Sequence, residues 1–193
     1  MGQNVLAEAK RVAYCVGMDP KDYSAARSVF PDAEMVDFQT YDKTYAAVAD
    51  GECDVAVVPF EKSFTGEVGH VLDLMYEGDL KVCHAFGFDN GMETVRYAVL
   101  SKEDVYPEEG NLWFLMMFTV EDETGSLAKA INIISSYGFN MRILRSRPMK
   151  DLPWHYYFYC EAQGDDTTEN GQQMLTVMKA SCPSVKVLGR YAE

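Results

Sequence analysis

The residues best suited to bind a small molecule lie at 124–128, where a loop is predicted to run into a helix. Backbone N–H groups at a helix start have no partner within the helix and can bind a carboxylate. Gly125 has no side chain, so the backbone there can approach a ligand closely. We expect a strand that begins just after Asn140 to face this helix start. The pattern therefore predicts a site for a free amino acid.

A second group of polar side chains, Glu61, Lys62 and Ser63, follows a predicted apolar strand at residues 54–59. Lys62 can attract a carboxylate. For Ser63, a catalytic role competes with a structural one, in which residues 63–66 form a turn into a helix that starts near Glu67 and is capped by a hydroxyl. The structural interpretation is favoured.

Composition and charge exclude several classes of function. The hydrophobic fraction of 48% predicts a packed core. Residues 1–110 hold 9 Lys and Arg against 21 Asp and Glu, and residues 111–193 hold 8 against 9, so the two parts carry net charges of -12 and -1. Such an acidic surface repels phosphate backbones, so we expect no nucleic-acid binding.

Neither a membrane anchor nor a metal site is predicted. No run reaches the roughly 18 apolar residues that span a bilayer, and residues 1–9 lack the features of a signal peptide. We therefore expect a cytoplasmic protein without cofactor or metal. The cysteines and histidines are widely spaced, which favours buried free thiols and structural imidazoles over disulfides or zinc. These residues are Cys15, Cys53, Cys83, Cys160, Cys182, His70, His84 and His155.

The first part of the chain alternates predicted strands and helices. Such alternation is typical of a mainly parallel sheet covered on both faces. Two further strands follow, joined across Asp89-Asn90-Gly91, and Asn-Gly is a strong hairpin signal. The predicted strands are residues 12–16, 33–37, 54–59, 81–88 and 92–101, and the predicted helices are residues 23–30, 41–50 (capped by Thr40) and 67–76 (ending at Gly78).

The second part has a different order of elements. A polar segment at residues 106–110, with Pro and Gly, marks the boundary. The predicted order is βαββαβ, a ferredoxin-like arrangement. The sequence therefore predicts two α/β domains, at residues 1–106 and 107–193. The elements of the second domain are strands 112–120, 139–147, 155–162 and 185–190 and helices 125–137 and 168–181.

Four motifs of the second domain closely resemble the ACT regulatory domain attached to prephenate dehydratases and aromatic amino-acid hydroxylases. The chain departs from that family at Thr124, which replaces Pro, and at Arg145, which replaces Glu. The motifs are Gly125-Ser126-Leu127-Ala128, Gly138-Phe139-Asn140-Met141, Ser146-Arg147-Pro148 and Pro153-Trp154-x-Tyr156-x-Phe158. The resemblance implies a homodimer that binds L-phenylalanine or another aromatic amino acid in a pocket shared by two subunits, lined by Gly125, Ser126, Leu127, Ala128, Asn140 and Met141.

The first domain resembles the first lobe of a prephenate dehydratase. In that family a second lobe is inserted between the two parts of the resemblance, and substrate lies in the cleft between the lobes. Here Asp89-Asn90-Gly91 stands in place of the second lobe. The matching residues are Arg11-Val12-Ala13-Tyr14, Tyr23-Ser24-Ala25-Ala26, residues 54–63, Gly66, residues 71–75 and the return strand at residues 95–100.

The resemblance also implies which residues would carry the dehydratase reaction. A threonine in a Thr-Arg-Phe motif assists departure of the ring hydroxyl, and alignment on Arg96 and Tyr97 puts Val95 at that position. An isopropyl group cannot donate a proton. Thr94 is adjacent, but neighbouring side chains on a strand point to opposite faces unless the register shifts. Thr94, Arg96 and Ser63 are the catalytic candidates that the resemblance implies, as remnants of a lost site.

Four cations lie in and after one predicted strand of the second domain: Arg142, Arg145, Arg147 and Lys150. Alternation would place Arg145 and Arg147 on one face, where an anion could bind. Solvated charge is the favoured interpretation. The cations could alternatively meet the acidic first domain, within the chain or across a dimer.

Three functions from different classes follow. The first, which the sequence favours, is a dehydratase relative that has kept an amino-acid-sensing ACT domain and lost the chemistry. The second is an active prephenate dehydratase whose missing lobe comes from another subunit or polypeptide. The third is a structural protein whose ACT domain only dimerises.

Overall fold

The computed structural model describes residues 5–107 and 110–193. The chain divides into two compact units, residues 1–107 and 108–193. Part of the predicted boundary segment, Glu108 and Glu109, lies outside the described residues, as do residues 1–4 of the N-terminal segment considered above.

The first unit is a mixed α/β sheet in the order β2-β1-β3-β6-β5, with the short β4 paired to β3. Strands β2, β1 and β3 run parallel, and β6 and β5 continue the sheet antiparallel. The elements are α1 (Val5–Glu8), β1 (Arg11–Cys15), α2 (Asp22–Val29), β2 (Glu34–Phe38), α3 (Tyr41–Ala49), β3 (Val55–Lys62), β4 (Gly66–Glu67), α4 (Gly69–Glu77), β5 (Lys81–Asp89) and β6 (Thr94–Ser101).

The apolar runs that predicted the strands form the core of this unit. One hydrophobic cluster joins β1, β3 and β6 to the small buried residues Ala25 and Ala26 of α2, which let the helix approach the sheet closely. The Thr40 cap of α3 is confirmed, because its Oγ1 accepts a hydrogen bond from the Lys43 N–H at 3.3 Å. The cluster also contains Val12, Tyr14, Phe30, Val55, Val57, Cys83, Val95, Tyr97 and Val99.

The predicted hairpin is confirmed, and its turn spans four residues between Asp89 and Thr94. The Asn90 side-chain oxygen accepts hydrogen bonds from the N–H groups of Met92 and Glu93 at 3.0 and 2.9 Å. Gly91 has φ +85°, a left-handed conformation that glycine adopts without strain. The chain therefore reverses directly from β5 into β6.

Two short elements, α1 and β4, lack a sequence signal, and β4 changes the start of α4. Because Gly66 and Glu67 pair with Lys62 and Glu61, residues 63–65 form the turn of a small hairpin. Helix α4 then begins at Gly69, and its N-cap residue Val68 makes no side-chain cap. The predicted hydroxyl cap is therefore wrong.

The second unit is an antiparallel sheet in the order β10-β7-β9-β8. This βαββαβ order is the predicted ferredoxin-like arrangement, and the predicted fold class is confirmed for both units. The elements are β7 (Leu112–Thr119), α5 (Ser126–Ser136), β8 (Asn140–Pro148), β9 (Tyr156–Gln163), α6 (Glu169–Ser181) and β10 (Ser184–Ala192).

Helices α5 and α6 cover one face of this sheet. Their buried side chains, including Ile134 and Met178, pack with Phe114, Met116 and Phe118 of β7. Phe139 meets the Phe114 ring edge to face, with ring centroids 5.3 Å apart.

Several general expectations can be set beside the structure. All five cysteines are free and buried. Within residues 5–107 and 110–193, no helix is long and apolar enough to cross a membrane. The same residues contain no group of three or more His, Cys, Asp and Glu side chains arranged to hold a metal ion. The cytoplasmic location stays a prediction.

A buried ion pair fixes the loop before α6 to strand β10. Arg190 donates from Nε and Nη2 to the two carboxylate oxygens of Asp166, at 2.6 and 2.7 Å. Both residues are buried. Two parallel bonds of this kind match the planar guanidinium to the carboxylate.

Removing one partner of this pair should be strongly destabilising. We expect Arg190→Ala to lower the free energy of unfolding by about 3–5 kcal/mol, because the Asp166 carboxylate is then buried without its cation. Urea unfolding followed by circular dichroism measures the change. Lys179→Ala, an exposed substitution on α6, is the control and should cost little; equal losses in the two variants would contradict the role assigned to the ion pair.

Candidate functional site

The first candidate site is the edge of the first unit where the parallel strands β1 and β3 end. In open α/β sheets, ligands bind at the carboxyl ends of the strands. The loop after β1 is joined to the end of β3 by an ion pair between Asp19 Oδ2 and Lys62 Nζ at 3.7 Å. The turn between β3 and β4 is joined to β6, because the Ser63 N–H donates to the Thr94 carbonyl at 3.0 Å.

The three catalytic candidates lie on β6 and in the turn after β3, and their polar groups contact nearby protein groups. The Ser63 Oγ accepts a hydrogen bond from the Thr94 N–H at 3.2 Å. Arg96 Nη1 lies 2.9 Å from Glu61 Oε2, and its guanidinium lies over the Phe60 ring at 4.8 Å. The structure thus brings these residues together, and their catalytic roles stay predictions.

Val95, which the resemblance aligns with the family's threonine, is fully buried in the hydrophobic core of the first unit. Strand β6 pairs with β3 so that Lys62 is opposite Val95. Thr94 is consequently on the exposed side of the strand, next to the turn. The register shift that would bring the Thr94 hydroxyl inward is not present.

A buried carboxyl group, Asp22, is the feature of this edge that the sequence did not identify. It is 1% exposed at the first residue of α2. The Tyr97 hydroxyl donates to Asp22 Oδ1 at 2.8 Å, and the Tyr41 hydroxyl lies 3.4 Å from Oδ2. A tyrosine inside an apolar strand, as Tyr97 is, needs a hydrogen-bond partner, and this was the signal available in the sequence.

The pKa of Asp22 is raised to about 7, mainly by burial and with a smaller contribution in the same direction from the nearby Asp19 carboxylate. The hydrogen bonds from Tyr97 and Tyr41 and the charge of Lys62 act in the opposite direction. Desolvation is the largest effect because the charged carboxylate loses its hydration in the core. A substantial fraction of the Asp22 carboxyl is therefore protonated at neutral pH.

The second candidate site is the start of helix α5. Its N-cap residue Gly125 has φ +88°, and a Cβ placed there would meet no atom within 4 Å. The Ser126 N–H donates to the Glu123 carbonyl at 3.2 Å, and the Lys129 N–H donates to the Gly125 carbonyl at 2.8 Å. The N–H groups of the two intervening residues, Leu127 and Ala128, lie in the first turn, where a helix offers no acceptor.

Three exposed carboxylates precede this helix start: Glu121, Asp122 and Glu123. They can accept hydrogen bonds from an ammonium group. Their negative charges also offset the positive end of the α5 dipole. The helix start therefore attracts a simple anion less strongly. The arrangement therefore suits a molecule that carries both a carboxylate and an ammonium group.

Asn140 and Met141 do not lie beside Gly125 within one chain. Helix α5 has 11 residues and a length of about 16 Å. Gly125 is at its start, whereas Asn140 begins β8 two residues after Gly138, beyond the other end of the helix. The expectation that the helix start faces the beginning of this strand is wrong for a single chain, because α5 and β8 are joined by a tight turn and run in opposite directions.

The arginines of β8 differ in their contacts and in their exposure. Arg142, at a bulge in β8, lies 2.9 Å from both the Glu161 and the Glu193 carboxylates and 3.8 Å from the centre of the Trp113 ring. It therefore joins β8 to the buried Glu161 and to Glu193, while its own side chain stays 31% exposed. Arg147 Nε donates to the Tyr157 hydroxyl at 3.2 Å, and Arg145 is exposed.

Comparison with known proteins matches the first unit to one family. Residues 22–89 match the family model described as Prephenate dehydratase. The bifunctional chorismate mutase/prephenate dehydratase of Aquifex aeolicus is 33% identical over 103 residues, which are 53% of this chain and 28% of that protein. The protein of the same description from Enterobacter agglomerans is 32% identical over 76 residues, 39% of this chain and 20% of that one. The chain spans less than a third of the length of these curated relatives.

Solved structures resemble the chain over nearly all of its length. A structure described as "GqqA- a novel type of quorum quenching acylases" has a TM-score of 0.82 and 23% identity, covering 95% of both chains. Prephenate dehydratase from Streptococcus mutans has a TM-score of 0.83 and 21% identity, covering 94% of this chain and 97% of that one. Prephenate dehydratase from Arthrobacter aurescens in complex with L-Phe has a TM-score of 0.82 and 17% identity, covering 95% and 90%.

Residues 22–89 are therefore similar to prephenate dehydratases. Because the solved structures are less than 25% identical to this chain, they show a shared fold and give no information about its activity. The similarity is placed in the first unit by the family model, whose matched region includes Asp22 and strand β5 as far as Asp89.

The pKa of Asp22 predicts how the stability of the first unit depends on pH. The folded state binds the proton more tightly than the unfolded state, whose Asp pKa is 3.8, so stability falls as pH rises from about 4 to about 7 and is then flat. Over this pH range the free energy of unfolding should fall by about 4 kcal/mol, at roughly 1.4 kcal/mol per pKa unit. We expect Asp22→Asn to remove this fall.

Urea unfolding from pH 4 to pH 8, compared between the wild type and Asp22→Asn, isolates the contribution from those of other carboxyl groups. The exposed substitution Asp32→Asn serves as the control and should keep the wild-type profile. If Asp22→Asn and the wild type lose stability in parallel as pH rises, Asp22 is not the group that titrates.

Proposed function

We propose that this protein is an amino-acid sensor related to prephenate dehydratase. In this proposal the second unit is an ACT domain that binds an aromatic amino acid, and the first unit has lost dehydratase activity. The observation that carries the proposal is the open helix start at Gly125, where two first-turn N–H groups and three carboxylates lie close together in the sequence.

The chemistry of this helix start suits each part of a free amino acid. The N–H groups of Leu127 and Ala128 would bind the carboxylate, since they lie at the positive end of the helix. The acidic loop before Gly125 would accept the ammonium group. The half-buried Leu127 offers apolar surface to the side chain. The complex of the Arthrobacter aurescens dehydratase with L-Phe makes L-phenylalanine the first ligand to test.

A homodimer would complete the site. Asn140 and Met141, which the resemblance assigns to the same pocket, lie beyond the far end of α5 in their own chain, so they would come from the second subunit. Strand β8 pairs with β9 along one edge and, within the second unit, is the last strand of the sheet. An edge strand of this kind offers backbone groups to another copy.

Loss of the dehydratase reaction is supported by the arrangement of β6. The residue at the threonine position, Val95, is apolar and buried, and Thr94, Ser63 and Arg96 contact groups of the same unit. The direct reversal at residues 90–93 leaves no place in the chain order for an inserted lobe. An active dehydratase completed by another polypeptide, and a purely structural dimer, are the alternatives.

Ligand binding at the start of α5 can be tested with two glycine substitutions at opposite ends of the same helix. Gly125 and Gly138 have φ values of +88° and +80°, and a Cβ at either position meets nothing within 4 Å. Replacement by Ala should therefore cost both variants a similar amount, about 1 kcal/mol. We expect L-phenylalanine to raise the melting temperature of the wild type and Gly138→Ala, and to have a much smaller effect on Gly125→Ala, because the new Cβ blocks the approach of the ligand to the backbone.

Thermal melting with each aromatic amino acid at millimolar concentration measures the shift, since a ligand that binds the folded state stabilises it by mass action. Equal shifts in Gly125→Ala and Gly138→Ala would remove the binding site from this helix start. The absence of any shift in the wild type would count against the sensor and leave the structural dimer.

A second test of the proposed function concerns the turnover of prephenate. We expect the purified chain to form no phenylpyruvate from prephenate, because the hydroxyl that should assist departure of the leaving group is replaced by Val95. Absorbance of phenylpyruvate is the readout, and a two-lobed prephenate dehydratase is the positive control. The same preparation is tested for acylase activity, in view of the full-length likeness to the GqqA structure. Turnover of prephenate would establish the active-dehydratase alternative.

A further inference from the structure

The loop between β8 and β9 holds an exposed tryptophan in a strained backbone conformation. Trp154 is 89% exposed and has φ +68°, and it is the one non-glycine residue with positive φ among the described residues. A bulky residue rarely adopts this conformation, because its Cβ then crowds the backbone. Two backbone hydrogen bonds hold the loop: the His155 N–H donates to the Leu152 carbonyl at 3.1 Å, and the Met149 N–H donates to the His155 carbonyl at 2.8 Å.

The residues around Trp154 have the composition of a protein-binding surface. We define the hairpin tip as residues 145–156. Leu152 and Tyr156 are also exposed large apolar side chains in this segment. The tip contains three Lys and Arg residues and one Asp, a net charge of +2. Trp, Tyr and Arg are the residues most enriched where binding energy is concentrated in protein interfaces.

The charge of the tip is opposite to that of the first unit. Residues 1–107 contain 9 Lys and Arg against 19 Asp and Glu, a net charge of -10. A positive patch and a strongly negative surface attract each other and orient their encounter. A second copy of the chain carries the same acidic first unit, so it is a partner of suitable charge for the tip. The overall charge of -13 disfavours anionic lipid and nucleic acid as partners.

We propose that the hairpin tip of one subunit docks on the acidic first unit of a second copy of the chain, with Trp154 as the central apolar anchor and Arg145 at the charged rim. The proposal rests on the homodimer proposed above. It adds a contact between a sensing unit and a dehydratase-like unit in different subunits, so that occupancy of one subunit can be communicated to the other.

Photo-crosslinking from the tip identifies its partner directly. The native cysteines are all buried, so an introduced Asp151→Cys gives one accessible thiol for a benzophenone maleimide and leaves Trp154 in place. The benzophenone-labelled chain is prepared with natural isotopes and mixed with a chain that carries no benzophenone and is enriched in ¹⁵N. We expect crosslinked peptides that join residue 151 to residues 1–107 of the ¹⁵N chain. Crosslinks confined to one isotope, or between two tips, would overturn the proposal.

Substitutions separate an anchoring role of Trp154 from a structural one. We expect Trp154→Ala to weaken dimerisation at least about tenfold in analytical ultracentrifugation, and Val177→Ala, which trims an exposed apolar side chain on α6 outside the tip, to leave it unchanged. Trp154→Gly should raise the melting temperature at low protein concentration, since glycine tolerates the positive φ, while weakening the dimer. A higher melting temperature with an unchanged dimer would show that the residue only shapes the loop, against the proposal.

The charged part of the contact has its own test. Arg145→Glu should weaken the dimer at low salt and reduce the salt dependence of dimerisation, whereas the exposed Lys179→Glu on α6 should do neither. A dimer with wild-type affinity in all tip variants would overturn this inference and leave the sensor proposal intact, because ligand binding is judged separately by the Gly125→Ala comparison. Binding of the tip to anionic vesicles in competition with dimerisation, or a chain that stays monomeric at high concentration, would also overturn it.

Discussion

The register of strand β6 is the constraint on which the organisation of the first unit depends. Its alternation puts Val95, Tyr97 and Val99 into the core against α2 and leaves Thr94 outside. A slip of one residue would exchange these two faces. The hydrogen bond from the Tyr97 hydroxyl to the buried Asp22 carboxyl opposes such a slip, because moving Tyr97 outward would leave that buried carboxyl with fewer partners. The same hydrogen bond therefore keeps Val95 in the core and Thr94 on the exposed face.

The hairpin at residues 90–93 explains why the polar side chains at this sheet edge contact one another. In a cleft between two lobes, such groups would be directed at substrate. Here the turn returns the chain directly beside β5, and the other edge of β6 pairs with β3. Glu61 and Arg96 thus come within 2.9 Å, and Ser63 and Thr94 come within hydrogen-bonding distance. Groups that have partners in the protein lose less by remaining in place, so the edge is stable without a bound ligand.

Most of the fold was accessible from the sequence because its signals are local. The apolar strand runs, the Thr40 cap and the Asn90-Gly91 turn each act over a few residues. What the sequence did not provide are relations between distant residues. Asp22 resembles an ordinary acidic residue at a helix start until Tyr97, 75 positions away, is known to be its partner. The bulge at Arg142, which places its guanidinium beside Glu161 and Glu193, also has no local signal in the sequence. The separation of Gly125 from Asn140 follows from the direction of α5 relative to β8, which the motifs do not contain.

Because the loop before Gly125 is acidic, the ammonium group of a ligand would decide whether the start of α5 can bind it. Phenylalanine and phenylpyruvate share a ring and a carboxylate, and both could bind the N–H groups of the helix start. The keto acid, however, would bring a net negative charge next to Glu121, Asp122 and Glu123 without an ammonium group to offset it. The helix dipole alone contributes at most about 1–2 kcal/mol to anion binding. Discrimination in favour of the amino acid would therefore come from repulsion of the keto acid as much as from attraction of the ligand, which suits a sensor that must respond to the amino acid in the presence of its keto-acid precursor.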